Sequence, residues 1–221
     1  EMDKKKLTLK MQIRREYYRV KELLDGKRPS RMDLFTYMDD DIYRICVSGS
    51  HAKENPFQHY LDFLYELGEL SEDEQVLYAG IGREFIQTIE TTEMQKVYKM
   101  PILYSFYNHG NIRLAVTDEE VLESWKEFFD TGTNWKDFPN VNTYEDYKKV
   151  TDKQHLSKAK RMPIRFLKAS GKGFFVEKDG YALALRDEIG DVVGNMAFGE
   201  QMGDVLGYRS LEYYRRRYEK K

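Results

Sequence analysis

Apolar residues return every three or four positions through most of the chain, the pattern of helices with one buried face. Over residues 5–25, Ile13, Tyr17, Val20 and Leu24 form such a stripe, while Lys10, Arg14, Arg15, Arg19 and Lys21 fall on other faces. Gly26 and Pro29 end that helix. Ser30 can then cap a second helix over 31–38, its oxygen accepting from the unpaired amides of the first turn. The run Asp39-Asp40-Asp41 opens a short helix that carries Ile42, Tyr43, Ile45 and Cys46 inward. Asn55-Pro56 predicts another start, with Phe57, Tyr60, Leu61, Leu64 and Leu67 on one face. Ser71 with Glu74 forms a capping-box pair for a helix running to about Glu90. Gly80 and Gly82 inside it cost about 1 kcal/mol each relative to alanine, so the helix either breaks there or meets another backbone.

The texture changes near Lys96. Met100-Pro101-Ile102-Leu103 starts an apolar helix to about Tyr107, and His109-Gly110-Asn111 turns the chain into a predicted strand over 112–116. Thr117 with Glu120 is a second capping box, followed by Val121, Leu122, Trp125, Phe128 and Phe129 at helical spacing. A loop over 131–142 leads into a helical, basic stretch from Thr143. Arg161-Met162-Pro163-Ile164 then echoes Lys99-Met100-Pro101-Ile102, and each is followed by an apolar segment, a glycine turn and a β-prone stretch. In the second copy Asp179-Gly180 lies between two such stretches, a strong hairpin signal. Helices over 189–206 and 208–218 close the chain. The expected fold is mainly α with small β-hairpins (α+β), a helical bundle with one or two winged-helix-like modules. Its expected divisions are a helical domain at 1–95, a helix-strand-helix unit at 96–142, and a second unit with a basic terminal helix at 143–221.

Charge alters this picture once it is divided. Charged residues make up 33% of the chain yet sum to −2, an average that argues against a strongly basic nucleic-acid binder. Residues 1–31, however, carry eleven Lys or Arg against five acids, and residues 205–221 carry six against two, while 32–204 carry nineteen against thirty-one. Basic ends can simply solvate helices, or they can face a polyanion or an acidic partner. Tyrosines interleave with arginines in Arg14-Arg15-Glu16-Tyr17-Tyr18-Arg19 and Tyr213-Tyr214-Arg215-Arg216-Arg217-Tyr218, joining phosphate-neutralising charge to rings that stack on bases. The candidate nucleic-acid contacts are Lys10, Arg14, Arg15, Arg19, Lys158, Lys160, Arg161, Lys178, Arg215, Arg216 and Arg217, with Lys178 at the hairpin tip. The reading gains if the fold brings the two basic ends together and loses its main support if it separates them.

Catalytic patterns are sparse. Gly80-Ile81-Gly82 lacks the Lys-Ser or Lys-Thr of a phosphate loop. His51, His59, His109 and His155 are too widely spaced to share one helix face as metal ligands. The single cysteine, Cys46, excludes an intrachain disulfide and reads as a buried thiol. Asp39-Asp40-Asp41 could gather a divalent cation or serve as a helix start, and the acids at 72–74 and 118–120 read likewise. No catalytic or metal-ligating residue is expected, and no cofactor within the chain. The chain opens at Glu1 without a leader pattern, and no apolar run approaches the ~20 residues of a bilayer span, so a cytoplasmic chain without membrane contact is expected.

Several short segments in order resemble a known group. Ser30-Arg31-Met32-Asp33-Leu34-Phe35 through Met38, Asn55-Pro56-Phe57, the stretch 63–68, Ile89-Glu90-Thr91-Thr92-Glu93-Met94, Tyr98 to Ile102, Pro163 to Leu167, and Tyr208 to Tyr214 are similar to the C-terminal accessory region of bacterial superfamily II DEAD/DEAH-box helicase-like proteins. The likeness covers most of 7–218. It transfers no catalytic residue, because the ATPase motifs of that group lie upstream, so ATP and Mg belong to an associated motor. The resemblance implies an excised domain, which the start at Glu1 fits, or a partner of a separate motor. Nucleic acid, DNA in preference to RNA, and helicase motor domains in cis or trans are then the expected partners. A docking module that uses the acidic middle is the alternative, and a nuclease centred on residues 39–41 a third possibility.

Overall fold

The computed structural model describes residues 7–219; Lys5, where the first helix was expected to begin, lies outside them. The fold is mainly helical. Its first half runs α1 (Leu9–Leu23), α2 (Arg31–Tyr37), α3 (Asp40–Cys46), α4 (Tyr60–Leu67), α5 (Glu72–Tyr78) and α6 (Ile81–Thr91). Local chemistry sets these boundaries. Ser30 and Ser71 each accept from the third amide of their helix while Asp33 and Glu74 reach back to the cap, two complete capping boxes. Asp39 accepts from Asp41 N and Ile42 N at 3.0 and 3.1 Å, so the aspartate run opens α3 as a cap. Asn55-Pro56 starts only a 3-10 turn over Pro56–Gln58, and α4 begins after it. The helix expected from Ser71 to Glu90 is two helices broken at Gly80, and a Cβ on Gly82 would fall 2.1 Å from Leu77 Cδ1, so α6 crosses α5 too closely for a side chain there.

The second half continues through α7 (Lys99–Tyr107), β1 (Ala115–Val116), α8 (Asp118–Asp130), α9 (Tyr144–Lys148), α10 (Asp152–Ala159), α11 (Arg165–Ser170), β2 (Phe175–Val176), β3 (Leu183–Leu185) and α12 (Met196–Tyr218). The Asp179-Gly180 hairpin forms, with Phe175 opposite Leu185 and Val176 opposite Ala184. β1 then adds to the free edge of β3, Ala115 opposite Ala184, giving one antiparallel sheet in the order β1-β3-β2. The two expected helix-and-hairpin units therefore share a single sheet, and 96–142 has no hairpin of its own. The echoed tetrapeptides also diverge. Pro101 sits in the first turn of α7, whereas Pro163 lies inside a π turn, Lys160–Ile164, joining α10 to α11. The wider turn is what lets a residue with no N–H sit within a continuous helix.

Two apolar clusters fill the molecule. The larger surrounds Phe85, Phe106, Trp125, Phe129, Leu183 and Phe198; the smaller joins Ile13, Tyr17, Leu34, Phe57 and Leu64 to Tyr208. α12 belongs to both. It is one helix where two were expected, and its glycines serve packing: a Cβ on Gly203 would stand 2.5 Å from the Tyr107 hydroxyl. Between the clusters, Arg31 is fully buried and bonds Glu90, Gln201 and Asp204, while Gln201 in turn donates to Glu74 at 2.9 Å. Buried charge is tolerated only when paired in this way. Among the described residues no helix is long and apolar enough to cross a membrane.

A candidate nucleic-acid interface

The basic ends do converge. α1 and α12 both pack on α2: Arg19 donates to the Tyr37 carbonyl at 2.6 Å, and the Arg215 guanidinium lies 5.0 Å over the Phe35 ring. Convergence nevertheless neutralises much of this charge, because carboxylates take up most of the described cations of the two ends. Lys10 pairs with Glu66 at 2.8 Å, and Arg19 grips Glu16 at 2.7 and 3.0 Å. The Arg19 guanidinium holds the Glu16 carboxyl below its ordinary value against the opposing effect of burial. Lys21 pairs with Glu69, Arg28 with Glu74, and Arg31 with Glu90 and Asp204. At the other end Arg215 meets Glu219 at 3.2 Å, Arg216 meets Glu212 at 2.8 Å and Arg217 meets Asp137 at 3.2 Å. Arg14 and Arg15 have no carboxylate partner among the described residues, though Arg14 shares a surface cleft with Glu54 and Glu66.

Asp137 shows what the terminal Tyr-Arg cluster does instead. Its carboxylate is buried and accepts from Tyr213 Oη at 2.8 and 2.9 Å, from Tyr218 Oη at 2.9 Å and from Val97 N at 3.3 Å. Tyr214 Oη donates to the Asn134 carbonyl at 2.9 Å, and burial raises the Tyr213 and Tyr214 hydroxyls well above the usual phenol range. Rings held like this anchor the last turns of α12 on the 134–138 segment and are not free to stack on bases.

The opposite condition holds along α10, the π turn and α11. Residues 152–172 carry seven Lys or Arg against one Asp. Thr151 with Gln154 makes a complete capping box that fixes the start of α10. His155, Ala159, Pro163, Ile164 and Leu167 turn inward. The remaining positions are left to solvent, and Lys153, Arg161, Arg165 and Lys172 are exposed with no ion-pair partner among the described residues. Lys158 lies 5.2 Å over the Tyr98 ring and likewise lacks a carboxylate. Only Lys160 and Lys168 are neutralised, by Asp118 at 2.9 Å and Glu177 at 2.6 Å. Met162 and Phe166 stand out among these cations at 40% and 48% exposure, an aromatic ring inside a cationic stripe. Across residues 152–170 the stripe is roughly 28 Å long at 1.5 Å per residue. The hairpin turn adds Lys178, whose amine lies 5.4 Å over the exposed Tyr181 ring.

Of the sequence-predicted contacts, the structure thus sets Arg14, Arg15, Lys158, Arg161 and Lys178 among cations without an ion pair and Lys10, Arg19, Lys160, Arg215, Arg216 and Arg217 in ion pairs. Lys153, Arg165 and Lys172 were missed. A charge count over a twenty-residue window would have found them, but division into basic ends and an acidic middle averaged them away. Catalytic geometry is thin at this face: Cys46 lies elsewhere, buried, with its thiol pushed up to about 12 by burial. Comparison with family models, curated proteins and solved structures gives no match.

Proposed function

We propose that the chain is a non-catalytic nucleic-acid-binding module that meets the phosphate backbone with the exposed face of α10–α11, in the service of an ATP-dependent helicase-type motor. The observation that carries the binding is the unneutralised stripe Lys153, Lys158, Arg161 and Arg165 along α10, the π turn and α11, continued by Lys172 in the turn that follows, with Phe166 within it. Phosphate contacts of this kind supply the sequence-independent part of affinity. The motor is supported by the resemblance of the short segments alone.

The element order α7-β1-α8-α10/α11-β2-β3 with sheet order β1-β3-β2 supports reading this region as one winged-helix module. On that reading α10–α11 is the helix offered to a duplex, as the second helix of a helix-turn-helix is, and the β2–β3 turn with Lys178 and Tyr181 is the wing. DNA is the preferred ligand, since a helix enters the major groove of B-form duplex and not the deep, narrow one of A-form RNA.

The test is a salt titration of oligonucleotide affinity. Five or six phosphate contacts predict a log-log slope near about −5 for duplex DNA. Arg161→Glu with Arg165→Glu should flatten it, and absence of binding at low salt would sink the proposal.

A further inference from the structure

Beside the basic helix lies a half-open cleft of about 440 Å³, in the size range of small-molecule sites. The last turn of α6, the segment 93–96, the start of α7 and residues 162–172 line it. Its lining is of two kinds. Met94, Met162, Pro163 and Phe166 supply apolar surface; Thr88, Thr92, Lys96, Lys99 and Lys172 supply hydroxyls and amines, and among the described lining residues Glu93 is the one carboxylate.

Lys99 decides what such a cleft suits. The residue is 8% exposed, and its Nζ donates to Thr92 Oγ1 at 2.9 Å and to the Glu93 carbonyl at 2.7 Å, leaving one of three protons unassigned. Close by, Arg209 donates to the Ile89 and Thr92 carbonyls at 2.8 and 2.7 Å. Neither cation has a carboxylate ion pair among the described residues. Both close the C-terminal end of α6, where the helix dipole is worth about half a negative charge. Among the lining residues Lys96, Lys99 and Lys172 stand against the one carboxylate of Glu93, a positive excess beside the cleft, and buried charge without full compensation is costly. Burial, with Arg209 adding its own repulsion, holds the Lys99 amine below its ordinary value. An anion seated on Lys99 would relieve both effects.

We propose that this cleft binds a small amphipathic organic anion. Its phosphate or carboxylate sits on Lys99 Nζ and the Thr92 hydroxyl, and its apolar body lies against Met162, Pro163 and Phe166. The site borders the exposed stripe and shares Met162, Phe166 and Lys172 with it, but it takes a single ligand with both a charged and an apolar part, not a string of phosphates.

Phenyl phosphate and benzoate are the probes, with inorganic phosphate and benzyl alcohol as the two halves of the ligand. They are titrated in the absence of nucleic acid and followed by calorimetry and by the methyl resonances of ¹³C-methyl methionine. At least one aromatic anion should bind and shift Met94 and Met162; which of the two binds more tightly tells phosphate from carboxylate. Inorganic phosphate and benzyl alcohol should each bind at least tenfold more weakly. Lys99→Met, which keeps length and loses charge, should weaken the anion at least tenfold. Should that variant fail to fold, Phe166→Ala, at an exposed ring, must weaken the aromatic anions while leaving inorganic phosphate unchanged. Affinity should fall as pH rises through the lowered Lys99 value. Undisturbed Met94 and Met162 methyls with both aromatic anions, equal binding by benzyl alcohol or by inorganic phosphate, or full affinity in Lys99→Met or Phe166→Ala would each overturn the proposal. None of these results depends on whether α10–α11 binds DNA.

Discussion

Two basic regions of this protein use the same side chains for opposite ends. Around α2, cations of the first and last helices meet carboxylates drawn largely from the middle of the chain: Lys10 with Glu66, Lys21 with Glu69, Arg28 with Glu74, Arg31 with Glu90, Arg217 with Asp137. The acidic middle and the basic ends are therefore largely each other's partners, and the convergence tightens the fold without making a cationic face. Along α10–α11 the cations have almost no acids in sequence or in space, and their charge stays available. Formal charge by segment is the wrong quantity for finding a polyanion site; charge left after pairing is the right one.

That contrast can be broken at its deepest point first. Arg31→Met leaves Glu90 buried without its cation, so urea unfolding should show a loss of about 3–5 kcal/mol, while any binding by the remaining folded protein keeps its salt slope. Asp137→Ala strips the acceptor from Tyr213, Tyr218 and Val97 N and should cost about 3 kcal/mol by the same assay. A smaller effect is expected from acid. Burial holds His155 below its ordinary value of 6.5, with Lys126 adding to it. A histidine lowered in the folded state contributes stability above the unfolded value that is lost as pH falls through the folded one. Chemical-denaturation midpoints should therefore drop below pH 6.5, by at most about 1.4 kcal/mol per pH unit for this residue, and His155→Phe should remove that dependence. Smallest of all, Lys10→Ala removes an exposed ion pair and should change stability by less than about 1 kcal/mol.

Much of the fold was legible where the code is local. The capping pairs Ser71 with Glu74 and Thr117 with Glu120 form as read, and Asp179-Gly180 makes the hairpin turn. What escaped depends on distant partners. Nothing near Ala115 announces that it will pair with Ala184. Gly207 falls between the helices read at 189–206 and 208–218, yet α12 runs through it, and at Gly203 the helix lets the Tyr107 hydroxyl come close where a side chain would stand. Pro163 stands in an echo of the segment around Pro101, yet it sits within a π turn and not in a first turn, and nothing in the sequence marks that turn. The site divides the same way. Lys158 and Arg161 were readable from composition, but Arg217 looks as free in sequence as they do, and only the folded chain brings Asp137 to it; the pairs Glu212–Arg216 and Arg215–Glu219 are helical neighbours four residues apart that the spacing itself offered.

The central claim is that unpaired and not total positive charge marks the interface, and paired reversals test it most directly. Duplex-DNA affinity is measured from low to moderate salt for the unaltered protein, for Arg161→Glu with Arg165→Glu, and for Arg215→Glu with Arg216→Glu. The first double variant should lower the magnitude of the log-log slope by about 2, with stability unchanged within about 0.5 kcal/mol as expected of exposed positions. The second should leave the slope as it was. A slope that falls with Arg215 and Arg216 and stays with Arg161 and Arg165 would contradict the account.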